Sequence, residues 1–348
     1  MSSAGSTGLP DWQRAGDEPR PRALIRIEPE DFRVTEILNI DFDGQGEHDW
    51  LWIEKRLTNT EWLARQLSRF AGVVAKDVGF AGQKDRHAVT RQWFSVRRTS
   101  GAGYDWSTLD LPGVTILEIA RHSRKLRRGA HRGNRFDLVL RDVAGDAEAG
   151  LQRIRNEGLP NYFGEQRFGH RGGNIEMARS LFGGRRLRRD KRSLAVSAAR
   201  SLLFNDILAA RVSDKTWNTL LPGDHAVLDG THSHFEVLEL DETLAQRCRD
   251  FDLHPSAPLW GKGAATVTAP AAERRVAALH ADLAAGLEKL AVVARRALRV
   301  RAASLQWERQ SDVLRLGFEL PSGAFATAVL REVFDYEDSA VRISSVVA

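Results

Sequence analysis

The chain has 348 residues, 42% of them hydrophobic, enough to fill the cores of two domains or of one large domain with an insertion. Its 51 Lys and Arg exceed its 46 Asp and Glu by five, with an isoelectric point near 9.6, so where the cations cluster matters more than their sum. The single cysteine, Cys248, excludes an intramolecular disulfide and argues against a cysteine metal site; with no long apolar run and no leader pattern, a soluble cytoplasmic protein is expected.

Residues 1–20 are rich in Ser, Gly, Pro and charge without periodicity, which predicts a disordered tail. Ala23 to Ile27 and Phe32 to Ile37 read as strands about a Glu28-Pro29-Glu30-Asp31 turn, and His48 to Lys55 as a third. Thr58 or Asn59 then caps a helix in which Leu63, Leu67 and Phe70 recur at four and three residues. Val78 and Phe80 suggest a short strand, Trp93, Phe94 and Val96 another, and Gly82 to Thr90 a loop between them. Val114 to Ile119 and Phe136 to Leu140 are further strands, and Asp146 to Asn156 a helix. From Leu159 the texture turns helical: Asn174 to Phe182, Ser193 to Val212, Leu244 to Phe251, and an amphipathic stretch from Val276 to Val293. After Val300 strands return at Ala303 to Trp307 and Val313 to Leu320, followed by a helix over Ala324 to Phe334. Strand-rich ends around a helical middle predict a discontinuous domain carrying an insertion.

The loop holds Gln83-Lys84-Asp85-Arg86-His87, a carboxylate between two cations. Lys84 and Arg86 should favour the ionised form of Asp85 by Coulombic attraction, and an ionised carboxylate held on a loop serves as nucleophile or base. On spacing alone, a surface turn with an Asp-Arg pair reads equally well. No GxxxxGK[ST], no GxGxxG after a strand and no GxSxG is present, so the usual signatures of NTP, dinucleotide and esterase chemistry are missing. His225, His232 and His234 lie close together without an HExxH helix or a companion acid at regular spacing, and no metal site is expected there.

Seven cations and no acid fall between Arg121 and Arg135: Arg121, Arg124, Lys125, Arg127, Arg128, Arg132 and Arg135. A second run, Arg185 to Arg192, contains Lys191 and Arg192 around a single Asp190. Two such runs suit a phosphate backbone, structured RNA among the natural partners. Phe32, Phe136, Tyr162, Phe163 and Phe325 stand beside polar residues, as stacking platforms for an extruded base would, although core packing explains any one of them.

Phe80-Ala-Gly-Gln-Lys-Asp-Arg-His-Ala-Val-Thr90, Lys125-Leu-Arg-Arg-Gly-Ala-His-Arg-Gly-Asn-Arg-Phe136, Pro160-Asn-Tyr-Phe-Gly-Glu-Gln-Arg-Phe-Gly169 and Leu320-Pro-Ser-Gly-Ala-Phe-Ala-Thr-Ala-Val-Leu-Arg-Glu332 resemble, in order, the motifs of the TruD family of tRNA pseudouridine synthases. The resemblance runs from about Arg22 to Glu332 and is loose over 216–254. It implies a cofactor-independent isomerase, acting as a monomer on tRNA, that converts uridine 13 of the D arm into pseudouridine on a flipped-out base. It carries the catalytic aspartate to Asp85 and substrate-lining positions to Phe32, Lys84, Asn134, Phe136 and Phe325, and it brings RNA to Arg124, Lys125, Arg127, Arg128, Arg132, Lys191 and Arg192. It implies an α+β, V-shaped molecule: a catalytic domain with a mixed, mainly antiparallel sheet flanked by helices over 21–158 and 301–348, and an inserted α/β TruD-specific domain over 159–300. Two other classes compete, an RNA-binding protein of the same fold without activity, and a carboxylate hydrolase of nucleosides or glycans. The latter would want paired carboxylates where Asp85 has cations.

Overall fold

The computed structural model describes residues 9–99, 103–264 and 268–340. The chain opens with β1 (Arg22–Ile25), β2 (Phe32–Ile37), β3 (His48–Arg56), α1 (Thr60–Phe70), β4 (Val78–Phe80), β5 (Val89–Arg97), β6 (Val114–His122) and β7 (Gly133–Ala144). Its middle runs through α2 (Glu148–Glu157), β8 (Leu159–Pro160), α3 (Gly173–Phe182), α4 (Arg189–Ser213), β9 (His225–Leu228), β10 (His234–Glu236) and α5 (Glu242–Arg249). Then come β11 (Leu253–Leu259), α6 (Ala271–Leu279), α7 (Ala281–Leu290), β12 (Ala294–Ala297) and β13 (Arg299–Val300). β14 (Ala303–Gln310), β15 (Val313–Pro321), α8 (Ala326–Val333) and β16 (Asp335–Asp338) close it.

One compact unit combines Arg20–Asp146, Ala303–Gly323 and the described part of Phe334–Ala348. Its sheet runs β14-β15-β7-β2-β5-β3-β6, with β1 against both β7 and β16 and β4 against β5. β2 with β5 and β1 with β16 are parallel, and the remaining pairs are antiparallel, which is the expected mixed sheet. Period-two patterning explains it: on β2 Phe32, Val34 and Glu36 turn inward between more exposed neighbours, and on β7 Phe136, Leu138 and Leu140 do the same. Phe136 pairs with Val34 on one side and Phe318 on the other, its ring stacked on that of Phe318 at 5.4 Å. Asn59 caps α1, its side-chain oxygen accepting from the backbone N–H groups of Glu61 and Trp62. The cap starts a helix whose Leu63 and Leu67 pack with Leu51, Ile53, Phe94 and Val96 of the sheet. Each such buried side chain contributes about 1.5–3 kcal/mol.

The other unit takes the described part of Met1–Pro19, Ala147–Ala302 and Ala324–Val333. Helix α4 is its core, burying Leu202, Leu203, Phe204, Ile207 and Leu208 among residues from α3, α6 and α7. By length and composition α4 could cross a membrane; its apolar window is 56% buried inside the protein, and the helix carries Arg200, Asn205 and Asp206, so it is a core helix. Gly286 lets α7 close on α3: a Cβ there would strike the ring of Phe182. Gly286→Ala is therefore expected to destabilise the protein by about 1–3 kcal/mol in denaturant unfolding, and an unchanged midpoint would show that Phe182 moves aside at no cost.

Three expectations differ from the structure. Residues 9–20 are not a loose tail, because Leu9 and Trp12 are 8% exposed and Trp12 Nε1 donates to Asp206 Oδ1 at 2.6 Å; residues 1–8 lie outside the described part. The first break between units falls after Asp146 rather than Gly158, since α2 packs with α8 through Gly150 and Val333. Val276 to Val293 is two helices, interrupted at His280, whose non-helical φ/ψ of −113° and 44° accompanies a 2.7 Å contact of its Nε2 with Asp206 Oδ2. In keeping with an α/β insertion, the helical middle also holds a four-stranded sheet, β10-β9-β11-β12, whose strands were not read individually. Its central strand β11 contains Pro255 and Pro258, which argue against a strand in any reading by propensity.

Candidate active site

The connection from β4 to β5, residues 81–88, is tied down from three sides. Thr60 Oγ1, in the first turn of α1, accepts from Lys84 N at 3.1 Å and donates to Gln92 Oε1 at 3.1 Å, while Gln92 Nε2 donates to the Gly82 carbonyl at 3.1 Å. Leu57 N donates to the Ala88 carbonyl, and Gly129 N to that of Ala81. Thr60 and Gln92 are 1% and 0% exposed, so this network is a rigid base under the loop.

Asp85 sits at the loop's exposed apex, its side chain 49% accessible. Among the described residues the cation within ion-pair reach is Arg26, with Nη1 3.9 Å from Asp85 Oδ1 and Nη2 3.5 Å from Asp338 Oδ2. Arg26 follows β1 with a positive φ of 56°, its side chain is 12% exposed, and its guanidinium carbon lies 4.4 Å from the centre of the Phe32 ring. Lys84 and Arg86 are not the partners expected from their adjacency. Lys84 turns inward and pairs with Glu36 Oε2 at 3.0 Å, where the two side chains are 3% and 0% exposed and Glu36 Oε1 accepts from Trp93 N. A carboxylate buried to that degree demands a counter-charge, and Glu36 takes the lysine. Arg86 is exposed.

Beneath the loop, Lys55 is 1% exposed and donates to the Thr58 carbonyl at 2.7 Å, reaching the Asp85 carbonyl at 3.4 Å. Burial pushes its pKa from 10.5 down to about 8, Asp85 opposing the shift and Lys84 reinforcing it. The folded pKa is the lower one, so the cost of burying the charge is full below pH 8 and disappears as both states lose the proton toward 10.5. Wild type should then gain on the order of 2 kcal/mol over Lys55→Met between pH 8 and 10. A constant difference in denaturant unfolding across that range would refute the depressed lysine.

Of the predicted lining residues, Phe32, Lys84, Asn134 and Phe136 share the sheet unit with Asp85. Phe32 and Phe136 meet edge to face at 6.3 Å and are 2% and 5% exposed, so both serve mainly as walls. Asn134 is 9% exposed, pairs in register with Glu36 on one side and Leu320 on the other, and its Oδ1 is a buried acceptor without a hydrogen-bond partner. Phe325 belongs to the other unit, half-buried just ahead of α8, where its carbonyl accepts from Ala328 N.

The basic run resolves into separate environments. Arg135 is paired to Asp137 at 3.0 Å, Arg128 lies over the Phe80 ring and 3.6 Å from Glu61, and Arg121 donates to the Gly46 carbonyl. Lys125 donates to the Lys76 carbonyl. Arg124, Arg127 and Arg132 are exposed with no carboxylate in ion-pair range among the described residues. Arg124, Lys125 and Arg127 border a cavity of about 500 Å³ that also touches Ile40, Asp41 and Trp50. Lys191 and Arg192 are exposed at the start of α4, in the other unit. Among the described residues no group of three His, Cys, Asp or Glu is arranged to hold a metal ion.

The sheet unit thus presents an exposed carboxylate on a braced loop and, in the same unit, a buried amide acceptor and aromatic walls; such a carboxylate can act as a nucleophile or base. The chain matches the family model "tRNA pseudouridine synthase D (TruD)" over residues 15–185 and 183–333. It is 46% identical over 339 residues to the tRNA pseudouridine synthase D of Methylococcus capsulatus, covering 95% of this chain and 96% of that one, and 47% identical over 329 residues to that of Nitrosococcus oceani, covering 91% and 92%. A solved chain from Methanosarcina mazei described as a TruD protein superposes with a TM-score of 0.70 over 94% of this chain and 96% of its own at 18% identity, which shows the shared fold. The chain belongs to the TruD family.

Sequence reasoning missed Arg26, Lys55 and Glu36 as parts of this site. Glu36 had a signal, since an acid at an inward position of an otherwise apolar alternation must be paired. Lys55 had the same signal on β3, where it is buried in the strand's alternation. Arg26 had none, because its contact depends on a backbone turn out of β1.

Proposed function

We propose that this chain isomerises uridine to pseudouridine in tRNA, at uridine 13 of the D arm, with Asp85 as the catalytic carboxylate. The observation that carries the reading is Asp85 itself: exposed, braced by the Thr60–Gln92 network and paired to Arg26, in a chain whose relatives are called tRNA pseudouridine synthase D. In the reaction the bond from C1′ to N1 breaks, the uracil turns, a bond from C1′ to C5 forms, and the C5 proton is exchanged for one at N1. Atoms and electrons balance within the nucleoside, so no cofactor enters. A carboxylate beside the sugar serves this chemistry as nucleophile or as base.

The partnerless Oδ1 of Asn134 supports recognition of a flipped base, since a uracil N3–H would satisfy it. Phe32 and Phe136 would wall that pocket, with Lys84 fixing its floor through Glu36, and Phe325 is assigned to it by its motif. In this reading the sheet unit is the catalytic domain and the helical unit the TruD-specific one, and Arg124, Lys125, Arg127, Arg128, Arg132, Lys191 and Arg192 supply cations to the RNA. Chemical mapping of pseudouridine in bulk tRNA treated with the purified protein tests it. A new pseudouridine at position 13 is expected, and tRNA left unmodified would overturn the assignment.

A further inference from the structure

Within the helical unit a second group of cations lies apart from both basic runs. Arg167, from the Asn161-to-Gly169 motif, donates through Nη1 to Ser197 Oγ at 3.2 Å, and its guanidinium carbon is 5.3 Å from the centre of the Phe163 ring. Arg296 on β12 stacks on the same ring at 4.1 Å and is held by the carbonyl and side-chain oxygens of Asn161. Arg200, one turn beyond Ser197 on α4, donates through Nη2 to the Leu259 and Val292 carbonyls at 2.7 and 3.0 Å, while its Nε is buried with no acceptor. Neither Arg167 nor Arg200 has a carboxylate in ion-pair range among the described residues.

The arrangement is unusual for arginines kept only for packing. Desolvation lowers the pKa of the exposed Arg167 and of the half-buried Arg200 and Arg296, and Arg167 further lowers that of Arg296, so these two like charges are held close enough to repel. Two buried arginines of the same unit are matched by acids, Arg211 to Asp224 at 2.7 Å and Arg295 to Glu273 at 3.1 Å, while Arg299 is held by the Cys248 and Leu253 carbonyls. Ser193, Ser197 and Arg200 recur at four and three residues and so share one face of α4, which leads back to Arg189 and Asp190 in the helix's first turn. Asp190, at the start of this face, is in ion-pair range of neither Arg167 nor Arg200.

We propose that Arg167, Ser197 and Arg200 form a phosphate-binding site for the RNA backbone. The guanidinium forks suit phosphate oxygens, the serine hydroxyl supplies a further donor, and the Phe163 platform holds the charges in place. The proposal rests on RNA being the substrate, but its test is a binding measurement and needs no catalysis.

The test measures tRNA affinity against salt for wild type, Arg167→Gln, Arg167→Lys and, as a charge-matched control on α5, Arg249→Gln. Arg167→Gln should reduce the slope of log K against log salt by about 0.7–0.9, equivalent to roughly a threefold change in affinity across a fourfold range of salt. Arg167→Lys should keep the wild-type slope, and Arg249→Gln should leave it unaltered. A wild-type slope in Arg167→Gln would overturn the site, as would an equal loss in Arg249→Gln. Arg167 is exposed, so its variants test binding rather than folding. Wild-type protein that binds tRNA but forms no pseudouridine would overturn the isomerase reading and leave these slopes to decide the site.

Discussion

Asp85→Asn is expected to abolish pseudouridine formation, with a loss on the order of 10⁴-fold or more, the scale seen when a member of a catalytic unit is removed. Binding of tRNA should survive. The substitution is nearly isosteric, and the charge it removes is half exposed and 3.9 Å from Arg26, an ion pair of the kind that contributes about 0–1 kcal/mol. The unfolding midpoint should therefore barely move, separating lost chemistry from lost fold. Quantifying pseudouridine in tRNA under single-turnover conditions, beside a filter-binding titration, decides it. Isomerisation retained at near wild-type rate would remove Asp85 from the chemistry and leave an RNA-binding protein with this fold.

The second large effect is on stability. Glu36→Ala should cost about 3–5 kcal/mol, because it leaves the Lys84 ammonium unpaired at a side-chain exposure of 3%. Lys84→Met should cost a similar amount by stranding Glu36, which also accepts from Trp93 N. Combining Glu36→Leu with Lys84→Met removes both charges, so the pair should recover much of that loss in a double-mutant cycle. Denaturant unfolding followed through Trp50 and Trp93, which pack at 6.1 Å in the sheet unit, measures it. Additive costs would show that the two side chains do not interact. Activity should not return with stability, since the double variant removes the Lys84–Glu36 tie next to Asp85.

The sheet unit was legible wherever alternation ran long enough to define a face, as it does over Phe32 to Ile37 of β2, His48 to Lys55 of β3 and Phe136 to Leu140 of β7, the last a part of that twelve-residue strand. The Asp85 loop was legible for the related reason that glycines and charges interrupt two apolar runs. What adjacency could not supply was the direction of side chains. Lys84 and Arg86 flank Asp85 in sequence, yet Lys84 is drawn inward by Glu36, 48 positions away, and the partner of Asp85 comes from Arg26 on another strand end. The helical unit was read too simply because its strands are short or interrupted, β10 having three residues and β11 two prolines. The tail was misread because composition averages over twenty residues, whereas burial depended on Leu9 and Trp12.

The order of strands in the ten-stranded sheet bears on how the protein is made. β7 ends at Ala144, but its neighbour β15 begins at Val313, and β1 is joined by β16 only from Asp335. As the chain leaves the ribosome, the long flank of β7 stays open until nearly the whole polypeptide has been synthesised, and pairings so distant in sequence close slowly. An open flank of that length is a template for other nascent chains. A ribosome that stalls before Val313 thus releases a product that already carries Asp85 and its loop but ends without the strand that seals β7, so late truncations of this protein are expected to accumulate as aggregates before they can be scored as inactive enzyme.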